Sequence, residues 1–178
     1  MIEDFIKKNS ITSGNIKFLM IDKQEYDYYT FDQMVSSAQI LLNKLSPNIK
    51  YIKLKFENKL MLLVSLIACN RCKKIPILYP DENLSINTID YSGIIEHDYE
   101  LNDINCIIQE YKDNHSNPVL YRESDIQCIL FTSGTESVPK AVELTFNNIY
   151  QSAMNWNAVL NFSTKDYYLN ILSLSHIS

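Results

Sequence analysis

At 178 residues, with 46% apolar and 21% charged residues and few glycines or prolines, the chain has the composition of a globular domain large enough to bury a core, which excludes disordered and fibrous classes. A net charge of -5, with lysines scattered along the chain, argues against a nucleic-acid partner. The longest apolar run, Leu60 to Cys69, is about half of a bilayer span, and the N-terminus MIEDFIKKNS has no apolar leader core, so the chain reads as cytoplasmic, with no membrane partner and with reduced thiols.

Two short β-like runs, Ile16 to Ile21 and Tyr26 to Tyr29, are separated by polar residues that suit a hairpin. Thr30 to Leu45 then places Phe31, Met34, Val35, Ala38, Leu41, Leu42 and Leu45 on one helical face, and Thr30 with Gln33 reads as a capping box. Tyr51 to Phe56 alternates as a strand, Lys59 to Asn70 is an apolar helix, and Lys74 to Tyr79 is a second strand ended by Pro80 and Asp81. Strand, helix and strand in succession predict a βαβ unit with parallel pairing. Arg71, Lys73 and Lys74 read as cations placed favourably at a helix C-terminus.

Cys69 and Cys72 form a CxxC that closes this helix. A redox pair would open a helix, where the dipole lowers a thiol pKa, and zinc would need two more ligands at coherent spacing. Cys106, Cys128, His97, His115 and His176 are dispersed, so the cysteines read as structural and no metal site is assigned.

From Asp81 to Glu123 the pattern is weaker, with Ile89 to Ile95 and Ile104 to Ile108 as short strand candidates and Tyr111 to Pro118 as a loop. Ile126 to Phe131 is a buried strand and Ala141 to Leu144 a further short one. Thr145 caps a helix whose apolar face is Phe146, Ile149, Tyr150, Ala153, Met154, Val159 and Leu160, and Tyr167 to Leu174 reads as the last strand. These elements predict an α/β fold, a parallel or mixed sheet flanked by helices.

The stretch TSGTESVPK, Thr132 to Lys140, sits between two of these strands and supplies four hydroxyls, a glycine and a lysine. Hydroxyl donors and inward-turned backbone N–H groups bind phosphate oxygens, and a lysine adds a point charge. The stretch lacks the GxxxxGK[ST] spacing, and on composition alone a polar turn with a surface lysine fits it as well.

The wider segment ILFTSGTESVPKAVELTFNN, Ile129 to Asn148, closely resembles the phosphate loop of the AMP-forming, adenylate-forming enzymes: acyl- and aryl-CoA ligases, nonribosomal-peptide adenylation domains and luciferases. Their pattern, T-S-G-T-T-G-x-P-K-G-V followed by L-T-H-x-N, is matched at Thr132, Ser133, Gly134, Thr135, Pro139, Lys140, Val142, Leu144, Thr145 and Asn148. YYTFDQMVSSAQILLNKL is similar to the family's early T-Y-x-E-L helix, and LVSLIACNRCKKIPILYPDENLS to the helix and strand leading to V-P-x-x-P. LNILSLSHIS resembles the segment ending in P-x-x-H-x-x-G.

The resemblance covers residues 1–178 as the N-terminal portion of an AMP-binding domain, resembling the N-terminal subdomain of adenylate-forming ligases, with the C-terminal remainder and lid domain absent. It implies ATP-dependent activation of a carboxylic acid with release of pyrophosphate, transfer of the acyl group to a thiol acceptor such as CoA or a carrier protein, and use of ATP with Mg2+. Thr132, Ser133, Gly134, Thr135 and Lys140 would hold the nucleotide phosphates, and His176 would border the acyl pocket. No catalytic residue is assigned within this portion, and the chain alone is expected to be inactive. Glu136 and Ser137 replace the pattern's second threonine and glycine, and Ala141 a later glycine. A carboxylate beside a triphosphate is repulsive by a few kcal/mol at the effective dielectric of a partly buried site. The alternative is a degenerate, freestanding nucleotide- or partner-binding protein without catalysis. Open apolar faces of a partial domain also predict self-association.

Overall fold

A computed structural model describes residues 1–45, 48–54, 58–78, 95–96, 120–132 and 140–170. In chain order the elements are β1 (Ile2–Glu3), α1 (Phe5–Thr12), β2 (Lys17–Ile21), β3 (Gln24–Asp27), α2 (Tyr28–Leu45), β4 (Tyr51–Leu54) and α3 (Lys59–Arg71). They continue with β5 (Ile75–Leu78), β6 (Ile95–Glu96), β7 (Leu120–Tyr121), β8 (Ile126–Thr132), β9 (Lys140–Thr145) and α4 (Phe146–Leu160).

The main sheet has the order β6-β4-β5-β8-β9. β4 runs parallel to β5 and β6, β5 runs parallel to β8, and β9 is antiparallel to β8. The sheet is mixed, and β4-α3-β5 is the βαβ unit that the sequence predicts. β2 and β3 form the expected hairpin, though β3 is Gln24–Asp27 and Tyr28 and Tyr29, expected in that strand, begin α2; β1 pairs with β7 in a separate ribbon.

Helix ends follow from their caps. α2 starts two residues before the expected position, and the Thr30–Gln33 box is corrected. Asp27 Oδ1 accepts the Thr30 backbone N–H at 2.7 Å, so the carboxylate that ends β3 opens α2. Asn58 Oδ1 accepts from Leu60 N at 2.9 Å and Met61 N at 3.2 Å and opens α3. At the other end Lys73 takes φ 56, and its neighbour Lys74 donates its backbone N–H to Cys69 O at 2.9 Å, turning the chain into β5.

The sheet separates two apolar clusters. Phe31, Val35, Ala38 and Leu42 of α2 and Leu60, Met61, Val64 and Ala68 of α3 pack with Ile52, Leu54, Leu78, Cys128 and Leu130. The opposite face gathers Ile75, Ile77, Ile129 and Phe131, with Tyr51, Ile126 and Ala141 at its margin. Each fully buried aliphatic side chain in these layers contributes about 1.5–3 kcal/mol by leaving water.

Three other expectations change. Arg71 stands in the last turn of α3 as expected, but it is also a buried ion-pair partner: Nε donates to Asp4 Oδ2 at 2.7 Å and Nη2 to Asp32 Oδ1 at 2.6 Å. Lys74 is buried too, with Nζ donating to Ile49 O at 2.8 Å. Residues 167–170 adopt no strand, and the rest of the Tyr167–Leu174 expectation lies outside the described residues. The same holds for the candidate strand Ile104 to Ile108, while Ile89 to Ile95 is described only where Ile95 enters β6.

Candidate phosphate-loop site

β8 and β9 are the two stems of the TSGTESVPK loop. Thr132 lies opposite Lys140 in the last pair of the ladder, and Thr132 Oγ1 donates to Lys140 O at 3.4 Å. Directly opposite residues share a face of the sheet, so these two matched motif residues stand side by side at the mouth of the loop. Lys140 is exposed. Ser133, Gly134, Thr135, Glu136 and Ser137 lie outside the described residues, as does His176.

The base of the hairpin is anchored on several sides. Phe146 N donates to Asp125 O and Asn147 N to Glu123 O, each at 3.0 Å, which ties the start of α4 to the turn before β8. The rings of Tyr121 and Phe146 stack with centroids 4.2 Å apart. Thr145 caps α4 as expected, and Asn148 completes the box: Asn148 N donates to Thr145 Oγ1 at 3.2 Å, and Thr145 N to Asn148 Oδ1 at 3.0 Å. The L-T-x-x-N part of the motif therefore has a local task, starting the helix that follows the loop strand.

On the α3 side, Asn70 Nδ2 donates to Gln127 O at 2.8 Å. A cavity of about 230 Å³ lies nearby, and its Ile67, Phe146 and Ile149 walls suit packing more than anion binding.

The buried charges form a separate cluster. Asp4 caps α1 by accepting Lys7 N at 2.9 Å, and Lys7 Nζ donates to Asp32 Oδ2 at 3.0 Å. Tyr121 Oη donates to Asp4 Oδ2 at 3.3 Å. Burial alone would lower the Arg71 pKa, but hydrogen bonding and charge from Asp4, followed by Asp32, turn the shift upward. Burial, with Asp4 beside it, pushes the Tyr121 phenol up. Every carboxylate oxygen in this cluster faces donors of the chain itself, an arrangement that fastens α1 to α2 and α3. It was invisible to sequence reasoning, because α1 itself was not anticipated.

Burial raises the Cys69 thiol strongly and takes Cys72 and Cys128 to about 11. The Cys72 thiol donates to Gln39 O at 3.5 Å. Thiols held protonated in this way are poor nucleophiles and poor metal ligands, in keeping with the structural reading of the CxxC. Among the described residues no three His, Cys, Asp or Glu side chains gather to hold a metal, and no helix is long and apolar enough to cross a membrane.

Residues 52–178 match the family model described as AMP-binding enzyme. Over 80 residues the chain is 36% identical to 2-succinylbenzoate–CoA ligase of Staphylococcus aureus strain Newman, a segment covering 45% of this chain and 16% of that protein. Among solved structures, o-succinylbenzoate CoA synthetase (MenE) of Bacillus subtilis with the acyl-adenylate OSB-AMP has a similar fold, with TM-score 0.73 and 16% identity over 98% of this chain and 50% of that one. The fatty acyl-adenylate ligase of L. pneumophila with acyl adenylate and pyrophosphate gives TM-score 0.67 and 15% identity, over 90% of this chain and 33% of that one. The matched part of this chain is thus half or less of each relative's length.

Proposed function

This chain belongs to the AMP-binding enzyme family, and from that premise we propose that it supplies the N-terminal, phosphate-holding portion of an ATP-dependent carboxylic-acid ligase of the acyl- or aryl-acid–CoA type. In that reaction a carboxylate oxygen attacks the α-phosphorus of ATP in line, the bond to the bridging oxygen breaks, and pyrophosphate leaves. The acyl adenylate then passes its acyl group to a thiol, CoA or a carrier protein, and AMP departs. Catalysis of this kind is positioning and charge neutralisation.

The observation that carries the reading is the pairing of Thr132 with Lys140 at the mouth of a loop whose sequence supplies Ser133, Gly134 and Thr135. Hydroxyls with an adjacent ammonium suit the pyrophosphate portion of ATP. His176 is proposed to border the acyl group. Magnesium would arrive with ATP and balance phosphate charge, and no step assigned here depends on a metal cage among the described residues. A relative, MenE of Bacillus subtilis, has been solved with ATP and magnesium ion. The proposed compartment is the cytoplasm, where the thiols stay reduced.

Titration calorimetry with ATP and magnesium tests the site. The parent chain should bind, and Lys140→Ala should weaken binding about tenfold or more, the scale of one charge-assisted contact. Equal heats from both would remove the phosphate-loop reading. A second reading, nucleotide or partner binding without catalysis, draws on Glu136 and Ser137 in the loop. Carboxylic-acid-dependent pyrophosphate release by residues 1–178, above a Lys140→Ala control, would refute the proposal that this portion is inactive alone.

The exposed apolar side chains of α4 support self-association of residues 1–178. Ile149, Tyr150, Met154, Trp156, Val159 and Leu160 are each 39–78% exposed there, a concentration of large apolar side chains on one helix that favours covering by another surface.

A further inference from the structure

β8 carries one residue more than β9 over the same length of ladder. From Cys128 opposite Leu144 to Thr132 opposite Lys140 the pairing is regular, but Ile126 faces Thr145. Two steps along β8 thus correspond to one step along β9, and Gln127 is the extra residue of a β-bulge. The packing records the same offset. Cys128 and Leu130 belong to the cluster shared with α2 and α3, whereas Ile126, two residues before Cys128, packs with Ile129 and Phe131 on the opposite face.

A bulge leaves its extra residue outside the ladder, and a partly buried carbonyl there needs another donor. That donor is Asn70, 57 residues away, whose Nδ2 reaches Gln127 O at 2.8 Å from a position 5% exposed near the end of α3. We propose that Asn70 is a positioning residue that sets the register of the phosphate-loop hairpin, holding the bulge at Gln127 so that Thr132 and Lys140 meet.

The alternative register shows what is at stake. Without the bulge, the Ile126–Thr145 pairing would propagate along both strands, placing Cys128 opposite Glu143 and Phe131 opposite Lys140. A slip of one residue turns every β9 side chain to the other face relative to β8. Lys140 would leave the face that carries Thr132 and Leu130, and Thr132 would be released from its pair with Lys140. The consequence for nucleotide binding rests on the phosphate-loop reading, while the register itself does not.

Disulfide trapping reads the register directly, because opposed strand residues lie within disulfide reach. Native Cys128 is paired with Leu144→Cys in one chain and with Glu143→Cys in another, each is oxidised mildly when folded, and cross-linked peptides are identified by mass spectrometry. With Asn70 present, the position-144 product should dominate. Asn70→Leu, similar in shape but without a donor, should lower the ratio of the 144 to the 143 product by about tenfold, as orphaning a buried carbonyl requires. An unchanged ratio overturns the proposal.

If Asn70→Leu prevents folding, the same substitution is made in a chain lacking Gln127, which has no bulge to hold. There it should be tolerated, with the 144 product retained. Equal damage with and without Gln127 makes Asn70 a general packing residue and overturns the proposal. ATP titration separates the two readings: a register shift accompanied by about tenfold weaker ATP binding supports both. A register shift in a chain that binds no ATP even with Asn70 in place supports the register role and counts against the nucleotide site alone.

Discussion

Arg71 Nε donates to Asp4 Oδ2 at 2.7 Å between side chains that are 1% and 3% exposed, joining the end of α3 to the residue that opens α1. A buried pair of this kind is costly to break from one side, because the remaining charge has neither water nor a partner. Arg71→Met should therefore lower stability in urea denaturation by about 3–5 kcal/mol, leaving Asp4, Asp32 and Lys7 around one missing cation. Asp4→Asn keeps an acceptor for Lys7 N and should cost less. Equal, small losses for the two would mean that water reaches the cluster.

Alkaline pH should unfold the protein through its thiols and phenols. Cys69, Cys72 and Cys128 are raised from 9.0 by burial, and Tyr26, Tyr28 and Tyr121 are raised from 10.0 by burial first. For an acid with a raised folded pKa, stability is fully present below the unfolded value and is lost as pH climbs toward the folded one. The window opens near pH 9 and extends to about 11 for Cys72 and Cys128. Each thiol still protonated when its unfolded counterpart has ionised removes up to about 1.4 kcal/mol per pH unit, less for the partly exposed Cys72. Urea midpoints should be flat from pH 7 to 8.5 and fall steadily above 9; a flat profile to pH 10.5 contradicts the burial of these groups.

Thr145→Ala should cost about 1 kcal/mol, the worth of an N-cap. Because Thr145 and Asn148 cap one another, Asn148→Ala made after Thr145→Ala should cost less than it does alone. A double-mutant cycle by thermal denaturation measures the coupling. Simple additivity would make the two residues independent.

The exposed face of α4 gives a concentration-dependent signal. Trp156, the one tryptophan, is 61% exposed on that helix and neighbours Leu160 and Ile149 at helical spacing, so association through these side chains should shield it. Size-exclusion elution and Trp156 quenching by acrylamide should change together as residues 1–178 are concentrated, and Val159→Lys with Met154→Lys should abolish both changes. A monomer at every concentration would remove the self-association proposal.

The parts of the fold legible in the sequence were those set by local periodicity and turn chemistry. β4-α3-β5 and α4 emerged because their apolar spacing and caps lie within a few residues of one another. α1 was missed because Ile6 is buried while Phe5 and Ile11 are exposed, leaving no apolar stripe to read. The ion pairs of Arg71 were not legible, because its partners lie 67 and 39 residues away, a distance no window spans. Thr132 and Lys140 were legible as motif residues, whereas their opposition across the hairpin depends on a bulge at Gln127 that the strand-like run IQCILF does not reveal.

That bulge divides β8 into two lengths of opposite phase. A residue inserted after Gln127 would exchange the interiors above and below the sheet, sending Leu130 toward Ile75 and Phe131 toward Val64. One inserted before Ile126 would leave both faces of β8 in place and fall in the exposed turn at Asp125, disturbing the bond from Phe146 N to Asp125 O but not the core. Tolerance to insertion along these few positions should therefore change abruptly at Gln127, where the strand passes from adjustable connection to fixed support for the loop.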